Sequence, residues 1–171
     1  MKIAIAQINP TVGDLEGNST KIIKHIEQAK QAQAEIVVFP ELVTTGYPPK
    51  DLLLKESLIT RNKDVLNKIA ISCEGIAAVV GFVDQQNGDL FNAAAFLSDQ
   101  KIVGITHKIH LPNYDVFDEK RYFKQGKEAR VFPMNGISVG VNICEDIWIK
   151  NGPALEQKKK GADIIINISA S

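Results

Sequence analysis

Ile76-Ala77-Ala78-Val79-Val80-Gly81-Phe82-Val83, Leu90-Phe91-Asn92-Ala93-Ala94-Ala95-Phe96-Leu97-Ser98 and Lys101-Ile102-Val103-Gly104-Ile105-Thr106-His107 are three apolar runs of strand length, separated by Asn87-Gly88 and Asp99-Gln100. Polar dipeptides of this kind support the positive φ angles of tight hairpin turns, so the region reads as three strands joined by turns. The run 91–96 reads as a packed strand. Beyond it, residues 130–132 and 137–143 are two more strands flanking Asn135-Gly136, a further hairpin signal.

Working outward, the pattern alternates between strand and helix. Residues 51–71 place Leu54, Leu58, Val65, Leu66 and Ile69 at helical spacing. Residues 35–39 are a strand whose β-branched core, Ile36-Val37-Val38, is expected to be buried on both faces. Residues 18–33 carry Ile22, Ile23, Ile26 and Ala29 on one helical face, with Asn18 or Ser19 as the N-cap. Residues 2–8 read as a buried strand. Toward the other end come a short helix over 152–160 and a buried-looking strand over 163–168. Helices at both ends and hairpins in the middle imply one mixed α/β domain over residues 1–171, with helices packed on sheet. The text stops directly after a strand that needs cover, so the natural protein is expected to continue past Ser171.

Of the 171 residues 44% are hydrophobic, enough for a sizeable core. Twenty basic residues balance twenty acidic ones, so no net field draws the chain to nucleic acid or a membrane, and a small-molecule partner is expected. No apolar run approaches the ~20 residues that span a bilayer. Cys73 and Cys144 are too few for a disulfide framework, and a cytoplasmic location is expected.

Three residues combine into a chemical hypothesis. Cys144 ends the apolar strand Val139-Gly140-Val141-Asn142-Ile143, a placement that presents a nucleophile at a sheet edge. A free cysteine is equally at home as a small buried hydrophobe. Its thiol is only a few per cent ionised at neutral pH and needs a base or a nearby cation. Glu41, after Val37-Val38-Phe39-Pro40, sits beside apolar walls at another strand end, and Lys108 ends the strand 102–107. Alone, Glu41 also reads as a loop carboxylate and Lys108 as a solvated cation. A thiol, a carboxylate and an ammonium at three strand ends of one sheet are more telling together.

Phe39-Pro40-Glu41, Lys108 with Leu111-Pro112-Asn113-Tyr114, and Ile143-Cys144-Glu145-Asp146 resemble, in order and separation, the three signature segments of the nitrilase (carbon-nitrogen hydrolase) superfamily. Within it, Thr45-Gly46-Tyr47-Pro48-Pro49-Lys50-Asp51, the segment 107–123 and Cys144-Glu145-Asp146-Ile147-Trp148 are similar to the glutaminase domains of glutamine-dependent NAD synthetases. The resemblance covers the whole chain. It implies a nitrilase-like α-β-β-α sandwich, truncated before its C-terminal part, that releases ammonia from glutamine through a Cys144 thioester. In that reading Glu41 is the general base, Lys108 and the Glu145 backbone N–H stabilise the oxyanion, and Glu119 supports the lysine. Tyr47, Tyr114 and Phe117 would line the glutamine pocket, while the Glu145 side chain and Ser169 or Ser171 would hold the substrate's charged ends. No cofactor is implied for this chain. ATP and Mg would belong to a following synthetase domain, and the full-length protein would form a homo-oligomer.

A stand-alone hydrolase of another small amide and a catalytically silent fragment remain the alternatives. Other constellations carry less. His107 and His110 lack the further ligands of a metal site, Gly126-Lys127 lacks the rest of a P-loop, and Lys158-Lys159-Lys160 fits the solvated end of a helix.

Overall fold

The computed structural model describes residues 1–170. Its elements are β1 (Ile3–Ile5), α1 (Leu15–Gln31), β2 (Ile36–Val38), α2 (Glu56–Ile71), β3 (Ala77–Gln86), β4 (Asp89–Ser98), β5 (Lys101–His107), β6 (Val131–Met134), β7 (Ile137–Ile143), α3 (Pro153–Lys159) and β8 (Ile164–Ile168). They form two sheets, ordered β1-β2-β3-β4-β5 and β6-β7-β8. The expected hairpins are present. Asn87-Gly88, Asp99-Gln100 and Asn135-Gly136 all have positive φ at both residues, the requirement of the tight turn whose twist suits paired strands.

Side-chain alternation along β3 and β4 builds the layers. Ala78, Val80 and Phe82, with Ala93, Ala95 and Leu97, pack under α1 and α2 around Ile22, Ile26, Leu66 and Ile69. Ala77, Val79, Ala94 and Phe96 face the second sheet at Phe132, Val139, Val141, Ile166 and Ile168. Phe96 and Phe132 stack across that gap with centroids 5.1 Å apart. Helix α3 covers the outer face of β7, where the Gln157 side chain holds the Val141 carbonyl and the Asn142 amide. The result is the α-β-β-α sandwich. Each fully buried Ile or Leu here contributes roughly 1.5–3 kcal/mol. Among the described residues no helix is long and apolar enough to cross a membrane.

Several local readings need correction. β1 is not buried: Ile3 and Ile5 are 41% and 81% exposed, because the strand pairs only with β2 at the sheet edge. β8 is buried on one face only, with Ile165 exposed. Helix α1 starts three residues early, because Asp14 accepts from the Gly17 N–H as its cap. The Asn18 side chain is used instead to clamp Thr11 and the Thr44 carbonyl. The stretch 51–71 is not one helix; a 3-10 turn, Lys50–Leu54, precedes α2, and Lys55 between them is extended.

Strand direction positions the site. β2 and β3 are parallel, and β5 regains that direction through the antiparallel β4. The C-terminal ends of β2, β3 and β5 therefore lie together, and residues early in β4 join them. In the second sheet β7 and β8 are parallel, and so also end together.

Candidate active site

Glu41 lies in the turn after β2, 2% exposed. Phe39 donates its N–H to the Val79 carbonyl before Pro40 ends the strand, and Leu42 takes a positive φ that turns the chain back. The turn rests directly on β3 at Gly81. A Cβ on Gly81 would meet the Pro40 carbonyl oxygen at 2.4 Å and the Leu42 nitrogen at 2.5 Å, so only glycine admits the contact.

Lys108 follows β5, donates its backbone N–H to the Asn92 carbonyl at 2.8 Å and is fully buried. Its Nζ donates to Glu41 Oε1 at 2.7 Å and to Glu119 Oε1 at 2.8 Å. Burial alone would pull the lysine pKa down. The two carboxylates more than reverse this and raise it, so the side chain is held as an ammonium. Burial, and after it the charge of Glu41, raises the Glu119 pKa against the lowering pull of Lys108. Asn92 completes the group. Its Nδ2 donates to Glu41 Oε1 at 2.7 Å and reaches Glu119 Oε2 at 3.4 Å. The packed-strand reading of residues 91–96 thus misses one residue: Asn92 turns a buried amide onto two carboxylates. The signal was a lone polar side chain in an apolar run.

Cys144 directly follows β7 with φ +45°, a left-handed conformation that non-glycine residues adopt at some cost in strain. It opens a 3-10 turn, Cys144–Ile147, and is 8% exposed. The next carboxylate but one fixes that turn. Buried Asp146 accepts N–H bonds from Ile143 at 3.2 Å, from His110 at 2.8 Å and from Ile109 at 3.2 Å. Burial raises its pKa, opposed by these backbone donors. Asp146 thereby ties the cysteine turn to the two residues after Lys108. From β8, Asn167 Nδ2 donates to the Cys144 carbonyl, and the Ala170 N–H donates to Glu41 Oε2 at 3.1 Å. The ends of β2, β5, β7 and β8 are thus bonded to one another around Glu41, Lys108 and Cys144.

The other candidates lie around this centre. Tyr47 is half-buried and donates to Glu119 Oε1 at 3.2 Å; burial, then the charges of Glu119 and Glu41, and to a lesser degree Cys144, push its hydroxyl pKa far up. It lines a small pocket of about 40 Å³ with Glu119, Tyr122 and Val116. Tyr114 is exposed and donates to Glu145 Oε2 at 2.8 Å, and Phe117 meets its ring edge-on at 5.7 Å. Ser169 is half-buried, directly after β8, and Ser171 lies outside the described residues. A larger groove of about 650 Å³, bordered by Phe91, His107 and Arg130, includes none of the triad candidates. There His107 pairs with Asp84 at 2.8 Å and stacks on Phe91.

The carbon-nitrogen hydrolase profile matches residues 2–171. A glutamine-dependent NAD(+) synthetase of Thermotoga maritima is 44% identical over 174 residues, which take in all of this chain and 30% of the relative. That of Aquifex aeolicus is 38% identical over 172 residues, again 30% of its length. Among solved structures, the glutamine-dependent NAD+ synthetase of Acinetobacter baumannii superposes with a TM-score of 0.94 at 38% identity, over 99% of this chain and 32% of that one. An amidase from Nesterenkonia sp. gives 0.87 at 19% identity over 99% and 64%, a likeness of fold alone. The chain thus spans about a third of the length of the synthetases it matches. With a matching profile along nearly its whole length, the chain belongs to the carbon-nitrogen hydrolase family.

Proposed function

We propose that this chain hydrolyses the side-chain amide of glutamine and delivers the ammonia to a synthetase domain elsewhere in a longer protein. The observation that carries the reading is the buried ammonium of Lys108, held at 2.7 and 2.8 Å between Glu41 and Glu119 and followed directly by two residues bonded to the Cys144 turn. A fully buried lysine needs a purpose and a counter-charge, and here it has two carboxylates.

In this mechanism Glu41 takes the proton of Cys144 Sγ as the sulfur attacks the amide carbon. The carbonyl oxygen becomes an oxyanion, stabilised by Lys108 and the Glu145 backbone N–H. Loss of one such donor typically costs about 3 kcal/mol, a hundredfold in rate. Glu41 returns the proton to the leaving nitrogen, the C–N bond breaks, and ammonia departs from a thioester. Water, deprotonated by Glu41, then attacks the thioester, releasing glutamate and restoring the thiol. Glu119 holds Lys108 in place. The Glu145 carboxylate, already oriented by Tyr114, would receive the substrate's ammonium, and Ser169 or Ser171 its carboxylate, with Tyr47 and Phe117 beside them.

The synthetase relatives, of which this chain spans about a third, support a synthetase domain as the partner. ATP and Mg would act in the synthetase domain and no cofactor in this one, and the full-length protein would assemble as a homo-oligomer in the cytoplasm. Exposed Ile3, Ile5, Trp148 and Ile165 would be covered by the rest of the longer protein.

The deciding experiment measures ammonia release by the full-length protein from glutamine and from simple aliphatic amides. A strong preference for glutamine, lost in Cys144→Ala, supports the proposal. Equal turnover of aliphatic amides makes it a general amidase and sinks the glutaminase reading.

A further inference from the structure

Asn92 touches every charged member of the proposed centre. Its carbonyl accepts the Lys108 N–H, and its amide group donates to both Glu41 and Glu119. Lys108 Nζ bridges the same two carboxylates from the other side. The four side chains therefore close a ring in which donors and acceptors alternate: Lys108, Glu41, Asn92, Glu119. Such a ring solves a physical problem. Two buried carboxylates repel, and one ammonium neutralises only one of them. A second cation would complete neutrality but would also compete with Lys108 for the oxyanion. A neutral amide donates without adding charge. Asn92 is 1% exposed, on the face of β4 that looks into the gap between the sheets, and among the described residues its Oδ1 has no hydrogen-bond partner. The side chain is thus held through its donors, which meet two carboxylates at once.

We propose that Asn92 is a positioning residue for the hydrolysis: its Nδ2 donates to the Glu41 carboxylate, aiming it at the thiol, and keeps Glu119 on Lys108. The inference rests on the reading of Glu41 as general base. Asn92 acts through the carboxylate that does the proton transfer.

The test uses the full-length protein and follows glutamine hydrolysis from pH 5 to 9. Asn92→Asp keeps the shape but replaces the donor group by a third carboxylate, and Asn92→Ala removes the donors outright. Removing donors from a carboxylate favours its protonated form. A lost hydrogen bond to a charged group then moves the acidic limb of kcat/KM to higher pH by about one to two units. The expected result is that shift in both variants, with kcat down about tenfold or more at pH 7 and KM little changed, and with partial recovery in Asn92→Gln, which restores an amide. If Asn92→Ala does not fold, the isosteric Asn92→Asp decides alone. Wild-type limbs in a folded variant, or a loss of kcat with no movement of the limb, would overturn the inference. Glu41→Gln separates the two levels: if it still hydrolyses glutamine, the base assignment itself has failed, whereas an inactive Glu41→Gln beside an unshifted Asn92→Asp removes only the role of Asn92.

Discussion

Both cysteines are buried and neither is in a disulfide, yet their surroundings are opposite. Cys73 closes the end of α2 in the core beneath the helices, fully buried, with its Sγ 3.6 Å from the Ile69 carbonyl. Desolvation is the main force on its thiol and pushes the pKa up to about 11. Cys144 sits at a strand end in a left-handed conformation, in a turn bonded to the segment after Lys108 and, through Asn167, to the end of β8 that reaches Glu41. Burial by itself silences a thiol; a buried thiol becomes useful when backbone and charge are arranged around it.

The largest effect expected to sharpen this contrast is on activity. Cys144→Ala should lower glutamine hydrolysis by on the order of 10⁴-fold or more, the scale of removing a nucleophile. Cys73→Ala should stay within about twofold of wild type while losing roughly 1 kcal/mol of stability, as a small core truncation does. Steady-state kinetics and denaturant unfolding of the full-length protein measure both, and equal losses would erase the distinction. Next is Lys108→Met, which leaves Glu41 and Glu119 facing each other without their cation. Breaking a buried pair in this way should destabilise by about 3–5 kcal/mol, and the deficit should narrow as the pH falls and carboxyl groups take up protons. A deficit independent of pH would place the loss in packing instead.

Gly81→Ala tests the backbone side of the comparison. Its Cβ would push on the Pro40-Glu41-Leu42 turn, and a displacement near 1 Å should lower kcat about a hundredfold with Cys144 still open to alkylation. The smallest effect concerns Cys73 alone. Its thiol ionises near the ordinary 9.0 in the unfolded chain and near 11 when folded, so the folded state keeps the proton longer. The stability from the neutral thiol is complete below pH 9 and is lost as the pH rises to 11, about 2 kcal/mol in all. Wild type should lose that much more than Cys73→Ala over this interval in denaturant titrations; parallel curves would contradict the desolvated setting.

Much of this arrangement was legible in the residues because it depends on local rules. Asn87-Gly88 and Asn135-Gly136 can be read as hairpins since their positive φ angles are a property of the dipeptide. The strand-end positions of Glu41, Lys108 and Cys144 follow from apolar runs that stop. What depended on neighbours distant in sequence was not legible. Asn18 looked like a helix cap, but its amide is taken by Thr11 and Thr44, leaving the cap to Asp14. β1 is apolar enough for a core, and nothing in Ile3-Ala4-Ile5 says that it lies at an edge. Asn92 hid in a strand because only the fold brings Glu41, Glu119 and Lys108 around it.

Ala170 donates its N–H to Glu41, 129 positions earlier in the chain. On a ribosome adding about 5–20 residues per second, Glu41 waits on the order of ten seconds for that donor to be synthesised. Through that interval the nascent polypeptide carries Glu41 without the donor that closes on it. Reactivity toward amides should therefore switch on late, with the docking of β8, sparing the emerging chain from untimely chemistry.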